Sequence, residues 1–490
     1  MSGRLLAALI GITLGGAALR FATLDVQSYW FDEVVTVGLT SMSFGEMLDE
    51  LRITEATPPG YYAVAWLWAK AFGTGAVGLR SLSAVAGTLF IPVAYATAAT
   101  LVSRRAGLLT AALAATSPIL VWYSQEARSY MLMVLATGVS LLFFARALRD
   151  PTLANLAGWT AFSAASLAIH YFAVFVVIAE AVALFALQRP RWRIVAATVP
   201  IALVGLLLLP LLREQSVNPT WIQEVPLRLR LEDTVRQLVT PAPLPAWAGA
   251  SDLAFDSHSL WWLALAVLAA ATVLVIRVSP PLSRRGALVA LGIGVATVLA
   301  PVLVGAAGEL VTSRADYLLS RNVLSAWLPF AIALATGFGA PRLGWLGVGA
   351  VATICTAGLA VILTVAVDEE WQRDDWRAVV KALPRDAPVL LAVPSYQASA
   401  LSYYDPRWVN ADDAGSTARR VVVVRRDGFG LKSLALPPSF ERVARERLGR
   451  WEILTFGSAS PAFVPPQPGH LVRMESASPS RPRGPSSRPR

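Results

Sequence analysis

Residues 5–24 read LLAALIGITLGGAALRFATL, and the chain then reaches Tyr29-Trp30-Phe31-Asp32-Glu33. A bilayer core of about 30 Å needs roughly 20 apolar residues per helix, so residues 5–24 predict a membrane helix. Because many further apolar runs follow, we interpret this stretch as a retained helix and not as a cleaved signal peptide. An acidic pair is therefore expected just outside the first membrane span.

The whole chain has the composition of a polytopic membrane protein. Its 490 residues are 55% hydrophobic and only 15% charged, and the mean hydropathy is +0.55, whereas soluble domains carry about a quarter charged residues. The net charge of +10 comes almost entirely from Arg. These arginines form no basic stripe with interleaved aromatic residues, so we expect no nucleic-acid partner. The single Cys355 excludes a disulfide framework within the chain and a Cys-based metal cluster.

The apolar runs predict about eleven membrane helices, whose direction is set by the Arg-bearing short loops. All of these short loops fall on one side, which places the N-terminus in the cytoplasm. The predicted spans are 5–24, 80–102, 107–123, 130–148, 154–170, 172–188, 194–212, 260–277, 286–308, 322–339 and 343–366.

The extracytoplasmic face then receives the loops 25–79, 124–129, 213–259 and 309–321, together with everything after about residue 367. In loop 25–79 we expect amphipathic helices at the membrane interface. The predicted organisation has three parts: a membrane domain, 1–367, which includes loop 25–79; a small α/β domain, 368–475; and a disordered Arg/Pro/Ser tail, 476–490. The α/β prediction rests on an amphipathic helix at 371–380 and on apolar runs at 389–393 and 421–424.

Asp32 and Glu33 are the first candidates for chemistry, because they lie at the outer end of the first span. A carboxylate there could act as a general base that removes a proton from an incoming hydroxyl, and Asp32 is the better candidate. The alternative is a solvated pair or a helix cap, since Asp before a helix accepts backbone N–H bonds. The two carboxylates could also hold a loosely bound divalent cation; no cofactor is predicted firmly.

A second group in the same loop is Glu55 with Pro58-Pro59-Gly60-Tyr61-Tyr62. The two prolines fix the backbone, so that Glu55 and the pair Tyr61 and Tyr62 have defined directions. We therefore assign Glu55 to the catalytic group and both tyrosines to substrate binding. The alternative is an ordinary exposed acid in a turn.

The third candidate is the outer loop Tyr123-Ser124-Gln125-Glu126-Ala127-Arg128-Ser129-Tyr130. Charged residues near a bilayer surface are costly unless they are paired or functional, and the forked donors of Arg suit a phosphate. The alternative is an interhelical salt bridge. Arg321, at the start of the tenth span, could likewise bind a lipid phosphate or simply reach the interface. Glu180 is an intramembrane carboxylate, and His170 is interpreted as a satisfied interface residue.

These motifs resemble glycosyltransferase family 39 and the aminoarabinose-transferase-like group. The resemblance rests on Trp30-Phe31-Asp32-Glu33, on Glu55 with its Pro-Pro turn, on Arg80, on the 123–130 string, on Arg321 and on Asp375-Trp376-Arg377. It implies a GT-C fold and a sugar donor carried on polyprenyl phosphate. The family often has His immediately before the Pro-Pro pair, where this chain has Thr57, and that departure concerns the acceptor more than the fold.

The resemblance further implies an inverting displacement with Asp32 as base. Arg128 and Arg321, with Arg80 behind them, would stabilise the departing phosphate, and substrate contacts are expected from Tyr61, Tyr62, Tyr123, Gln125, Glu126 and Tyr130. The expected activity is transfer of a mannose- or arabinose-like sugar to an extracytoplasmic glycan, lipid or protein, by an enzyme of the cell membrane. The alternative is a transporter or flippase of a lipid-linked sugar, although no internal repeat of the kind many transporters carry is evident.

Overall fold

The computed structural model describes residues 2–215, 222, 225–242, 257–309, 317–411, 415–427, 429–431 and 434–474, apart from the side chains of 257–259 and 307–309. The chain divides into two compact units. We call residues 1–24 and 39–371 the helical unit, and residues 25–38 and 372–490 the sheet unit. The predicted tail 476–490 lies outside the described residues, as do parts of the loops 213–259 and 309–321.

The helical unit consists almost wholly of α-helices. They are α1 (Gly3–Phe21), α2 (Phe31–Ser41, which begins in the sheet unit), α3 (Phe44–Thr54), α4 (Pro59–Phe72), α5 (Ala76–Leu101), α6 (Arg104–Thr116), α7 (Pro118–Ser124), α8 (Tyr130–Arg149), α9 (Leu153–Ile169), α10 (Ala173–Leu187), α11 (Arg191–Gln215), α12 (Leu227–Val239), α13 (Ser257–Val278), α14 (Pro281–Glu309), α15 (Trp327–Phe338) and α16 (Gly344–Val367).

The polytopic, all-helical membrane architecture is confirmed, but the count of eleven spans is not. Within the described residues, seven helices are long and apolar enough to cross a bilayer, or up to eight if the bent pair α6 and α7 forms one span. Three predicted spans correspond to the shorter apolar helices Leu153–Ile169, Ala173–Leu187 and Leu324–Phe338. At a rise of about 1.5 Å per residue these fall short of a hydrocarbon core of about 30 Å.

The predicted span 107–123 is broken by its own sequence. Helix α6 ends at Thr116, Ser117 is extended, and Pro118 begins α7, which is bent by 57° from α6. Proline lacks the N–H of a continuous helix and disfavours helical geometry in the residue before it. The break therefore turns the chain before it reaches the polar residues 124–129.

Small residues let the helices of this unit approach each other closely. A side chain on Gly16 of α1 would place Cβ 2.4 Å from Ile91 of α5, and one on Gly158 of α9 would place it 2.4 Å from Phe143 of α8. Such interfaces are typical of membrane helices, which gain little from hydrophobic exclusion and associate by close packing.

The sheet unit is a small mixed α/β fold, as the sequence predicts. Its helices are α17 (Trp376–Ala382) and α18 (Ala398–Tyr404), and its strands are β1 (Val389–Val393), β2 (Trp408–Asn410), β3 (Ser416–Arg426), β4 (Glu441–Leu448), β5 (Trp451–Val464) and β6 (His470–Arg473). The strand order is β2-β6-β1-β3-β5-β4. Strands β1 and β3 are parallel, and the other pairs are antiparallel.

Both faces of the central strands are covered, which explains their continuous apolar runs. Leu390 and Val422 pack in one apolar cluster with Trp376 of α17. Leu391 and Val423 pack in a second cluster, which contains residues from the 429–440 segment. Every residue of β1 is therefore buried.

Candidate active site

The helical unit has a buried polar cluster that joins Arg128, Glu55 and Tyr62. Arg128 binds the Glu55 carboxylate through both outer nitrogens, with Nη1 to Oε1 at 2.5 Å and Nη2 to Oε2 at 3.0 Å. Arg128 Nη1 also donates to the Tyr62 hydroxyl at 2.7 Å. Only 9% of the Arg128 side chain and 5% of the Glu55 side chain are exposed. Burial raises the pKa of Tyr62 well above its usual range, so the hydroxyl stays protonated.

The Pro-Pro turn places two of these groups. Glu55 is the extended residue that ends α3, and Pro59 is the first residue of α4, where a missing N–H costs nothing. A side chain on Gly60 would place Cβ 2.4 Å from the Ala168 carbonyl oxygen of α9. The start of α4 therefore lies directly on the end of α9, which holds Tyr62 on the buried side.

Three aromatic residues and a second arginine lie next to one another in the same unit. Tyr130 lies with its ring centroid 5.0 Å from that of Tyr123 and 5.5 Å from that of His170. The half-buried Arg321 lies over the Tyr130 ring at 5.8 Å, and both Arg128 and Arg321 act electrostatically on His170. The structure thus groups predicted residues from three distant parts of the sequence.

His170 belongs to this group, although it is not among the site residues that the sequence predicts. Its Nδ1 accepts a hydrogen bond from the Phe172 backbone N–H at 3.3 Å. With Nδ1 as acceptor, a neutral imidazole carries its proton on Nε2 and can donate there. The one sequence feature that points to His170 as a site residue is its position beside Tyr171, between two apolar helices at the outer end of a predicted span.

The loop after α7 is held by a reciprocal contact between α1 and the broken helix. Buried Arg20 donates to the Ala114 and Ala115 carbonyl oxygens at 2.8 and 3.2 Å, and through Nε to Ser124 Oγ at 3.1 Å. Gln125 Nε2 in turn donates to the Leu19 and Arg20 carbonyl oxygens at the end of α1, at 3.1 and 3.2 Å. Cations and side-chain donors at helix C-termini satisfy carbonyls that lack a helical partner. This pair of contacts fixes the residues that precede Arg128.

The remaining predicted residues of the helical unit are buried in defined places. Arg80, in the first turns of α5, donates to the Leu24 carbonyl oxygen at 2.8 Å. Tyr61 packs edge to face on Tyr62, with centroids 5.1 Å apart. Glu126 is 2% exposed.

Glu180 forms a separate polar site between α8, α9 and α10. Its Oε2 accepts from Ser140 Oγ at 2.7 Å and from Trp159 Nε1 at 2.8 Å. The side chain is fully buried. These neutral donors give Glu180 a structural role between three helices, which the sequence did not predict.

Asp32 and Glu33 belong to the sheet unit, where they form the first turn of α2. Asp32 is half-buried, and its carbonyl oxygen accepts from Thr36 Oγ1 at 3.1 Å. Glu33 is fully buried and accepts from the Trp30 backbone N–H at 3.5 Å. The N–H groups of a first helical turn favour negative side chains, so both the catalytic and the capping interpretation fit this position.

The twelve predicted site residues are therefore divided between the units, with Asp32 and Glu33 in one and the other ten in the helical unit. Among the residues that the structure describes, no group of three or more His, Cys, Asp or Glu side chains comes together as a metal site would need. A divalent ion near Asp32 and Glu33 would have to take its other ligands from elsewhere.

Residues 56–213 match the model of the family described as dolichyl-phosphate-mannose-protein mannosyltransferase. This stretch contains the Pro-Pro turn, Arg80 and the whole 123–130 string. No curated protein matches the chain significantly.

Two solved structures match long stretches of the chain. ArnT from Cupriavidus metallidurans bound to undecaprenyl phosphate has 14% identity and a TM-score of 0.47, over 93% of this chain and 98% of that one. The archaeal oligosaccharyltransferase AglB from Archaeoglobus fulgidus, in complex with an inhibitory peptide and a dolichol-phosphate, has 11% identity and a TM-score of 0.46, over 78% of this chain and 58% of that one.

The helical architecture and the buried cluster define a polytopic membrane protein with a polar site formed by residues of the segments 25–79 and 124–129. The family match covers residues 56–213, about a third of the chain, and it is a match to a glycosyltransferase family of the kind that the motifs indicated.

Proposed function

We propose that the protein is an inverting glycosyltransferase of the cell membrane. It moves a mannose- or arabinose-like sugar from a polyprenyl-phosphate donor to an extracytoplasmic glycan, lipid or protein. The N-terminus is proposed to be cytoplasmic and the sheet unit extracytoplasmic. The observation that supports this most is the buried group of Arg128, Tyr62, Tyr130 and His170 with Arg321, most of which lies within the family-matched stretch.

The proposed chemistry begins at Asp32. Its carboxylate removes the proton from the acceptor hydroxyl, and the hydroxyl oxygen attacks the anomeric carbon with inversion. The bond between the anomeric carbon and the phosphate oxygen breaks, and polyprenyl phosphate leaves with the electron pair. Arg acts well on such a leaving group because its planar donors match phosphate oxygens and keep their charge.

The two arginines contribute differently to this step. Both outer nitrogens of Arg128 are bound to Glu55, so part of its charge is already compensated. Arg128 would bind phosphate only by sharing or exchanging that carboxylate. Arg321, whose guanidinium lies over the Tyr130 ring, is proposed as a further phosphate ligand, and His170, which also packs on that ring, as a hydrogen-bond donor. A single preorganised donor of this kind contributes roughly 10²- to 10³-fold in rate.

The test is transfer by the purified full-length protein in lipid nanodiscs. Synthetic polyprenyl-phosphate mannose and polyprenyl-phosphate arabinose are offered with envelope glycans from a deletion strain, and products are followed by mass spectrometry. Product formation with release of polyprenyl phosphate is expected, and Arg321→Gln should lower the rate at least about tenfold. Movement of the lipid-linked sugar across the bilayer without any transfer product would replace this proposal with the flippase alternative.

A further inference from the structure

The short segment that carries Asp32 is part of the sheet unit, although residues 39–371 separate it from the rest of that unit. Residues 25–38 group with residues 372–490 and not with the helices that flank them in sequence. Residues between 372 and 404 hold this segment through hydrogen bonds and ring contacts.

Asp375 joins the segment to α17. Its Oδ1 accepts from Ser28 Oγ at 3.0 Å, and the same oxygen accepts from the backbone N–H groups of Arg377 and Ala378 at 3.1 and 3.2 Å. One carboxylate therefore caps α17 and binds the segment. Ser28 is 2% exposed, so water cannot readily replace this bond.

Tyr404, at the end of α18, holds the backbone of the next residue. Its hydroxyl oxygen accepts from the Tyr29 backbone N–H at 2.5 Å. The Tyr29 ring packs edge to face on Tyr403, with centroids 5.8 Å apart, and Tyr29 is 1% exposed. Both the backbone and the side chain of Tyr29 are thus fixed by α18.

Further contacts hold the residues on either side of Ser28 and Tyr29. Arg377 binds Asp25 at its side chain, 3.1 Å, and at its carbonyl oxygen, 3.0 Å. The Arg373 backbone N–H donates to Gln27 Oε1 at 2.9 Å. Phe31 packs edge to face on Tyr396, with centroids 5.5 Å apart. These contacts therefore run from residue 25 to residue 31, the residue immediately before Asp32.

We propose that the sheet unit serves to position Asp32, and that Asp375 and Tyr404 are the positioning residues. This inference rests on the proposed function, in which Asp32 is the base. Ordering the backbone of a loop has an entropic cost, and a base that is misplaced by about 1 Å can lose on the order of 10²-fold in rate. Contacts with folded α17 and α18 provide that ordering before the substrate arrives.

The experiment uses the full-length protein in nanodiscs and compares conservative with disruptive changes. Tyr404→Phe removes only the oxygen that accepts from Tyr29. Asp375→Ala removes the shared acceptor, whereas Asp375→Asn keeps an oxygen at the same place. Asp405→Ala is the matched control, since the Asp405 carboxylate binds Arg407 within the sheet unit.

Two readouts are needed: the kinetics of sugar transfer, and amide hydrogen exchange of peptides that cover residues 25–38. We expect Tyr404→Phe and Asp375→Ala to lower kcat at least about tenfold with an unchanged KM for the donor, and to speed exchange in that segment. Asp375→Asn and Asp405→Ala should stay within about twofold of the wild type.

Wild-type kcat in folded Tyr404→Phe and Asp375→Ala proteins overturns the inference, whether or not exchange increases. A loss of transfer that is equally large in Asp405→Ala overturns it as well, because the effect is then one of general stability. If the wild type shows no transfer but exchange in 25–38 still responds to Tyr404→Phe, the proposed function fails while the anchoring of the segment stands.

Discussion

The Arg128–Glu55 pair offers a prediction that separates stability from catalysis. In Glu55→Ala, the buried guanidinium of Arg128 loses the bidentate carboxylate, with contacts at 2.5 and 3.0 Å, and keeps the Tyr62 hydroxyl at 2.7 Å. A buried charge without its partner is strongly destabilising, because the desolvation of that charge is no longer offset.

The size of the effect follows from the burial of both groups. Breaking a buried ion pair by removing one partner costs about 3–5 kcal/mol, and with 9% and 5% of the two side chains exposed, solvent screens the pair little. The remaining bond to Tyr62 offsets about 1 kcal/mol of that cost, which leaves about 2–4 kcal/mol. At about 1.4 kcal/mol per factor of ten, this is roughly a 30- to 700-fold change in the folding equilibrium.

The assay is a double-mutant cycle of Glu55→Ala and Arg128→Met, with unfolding by sodium dodecyl sulfate in mixed micelles. Each single variant should lose about 2–4 kcal/mol, and the double variant should lose clearly less than the sum, because it buries no unpaired charge. Transfer activity should nevertheless stay low in the double variant, since Arg128 is still absent. Additive losses, with a coupling below about 0.5 kcal/mol, would refute the reasoning.

Three further predictions concern residues outside this pair. Arg20→Met should destabilise the protein by about 1–3 kcal/mol in the same assay, because buried carbonyls lose their donor. The control Arg342→Met removes an exposed arginine–carbonyl contact and should stay within about 0.5 kcal/mol of the wild type. Equal losses in the two variants would contradict the capping role of Arg20. Glu180→Gln should keep the transfer rate within a few-fold of the wild-type rate. Glu180→Leu should lower the free energy of unfolding by about 1–3 kcal/mol, since two buried donors lose their acceptor. A Leu variant as stable as the wild type would contradict the structural role of Glu180. The hydrogen bond from Arg425 lowers the pKa of Glu452 below its ordinary 4.5, so the ionised Glu452 stabilises the sheet above that pH and this stabilisation is lost on acidification. Hydrogen exchange of β5, corrected for intrinsic rates, should therefore rise with falling pH in the wild type and rise less in Glu452→Gln. Identical pH profiles in the two proteins would contradict this prediction.

Much of the architecture was readable from the sequence because its signals are local. Hydropathy predicts membrane helices from each segment alone, and the continuous apolar runs at 389–393 and 421–424 predict strands that are buried on both faces. The count of eleven spans is not confirmed within the described residues, since a shorter apolar helix such as Leu153–Ile169, Ala173–Leu187 or Leu324–Phe338 resembles a full span in composition and differs from one only in length.

The site was less predictable because its contacts are long-range. Gln125 stands in the most specific motif, yet its amide binds carbonyls at the end of α1, more than 100 residues earlier. In the sequence, Asp375 stands out only through the family resemblance, and its contact with Ser28 depends on the folding of α17. No local pattern records such partners, whereas the proline that breaks α6 from α7 acts on its immediate neighbours.

The central claim is that Asp32 is the base of a sugar-transfer reaction. The most direct test measures single-turnover transfer from the synthetic polyprenyl-phosphate sugar that the wild type uses, with Asp32→Asn and the neighbouring Glu33→Gln at equal expression in membranes. Asp32→Asn should slow transfer by on the order of 10²- to 10⁴-fold with donor binding retained. Wild-type transfer by Asp32→Asn would contradict the assignment of the base.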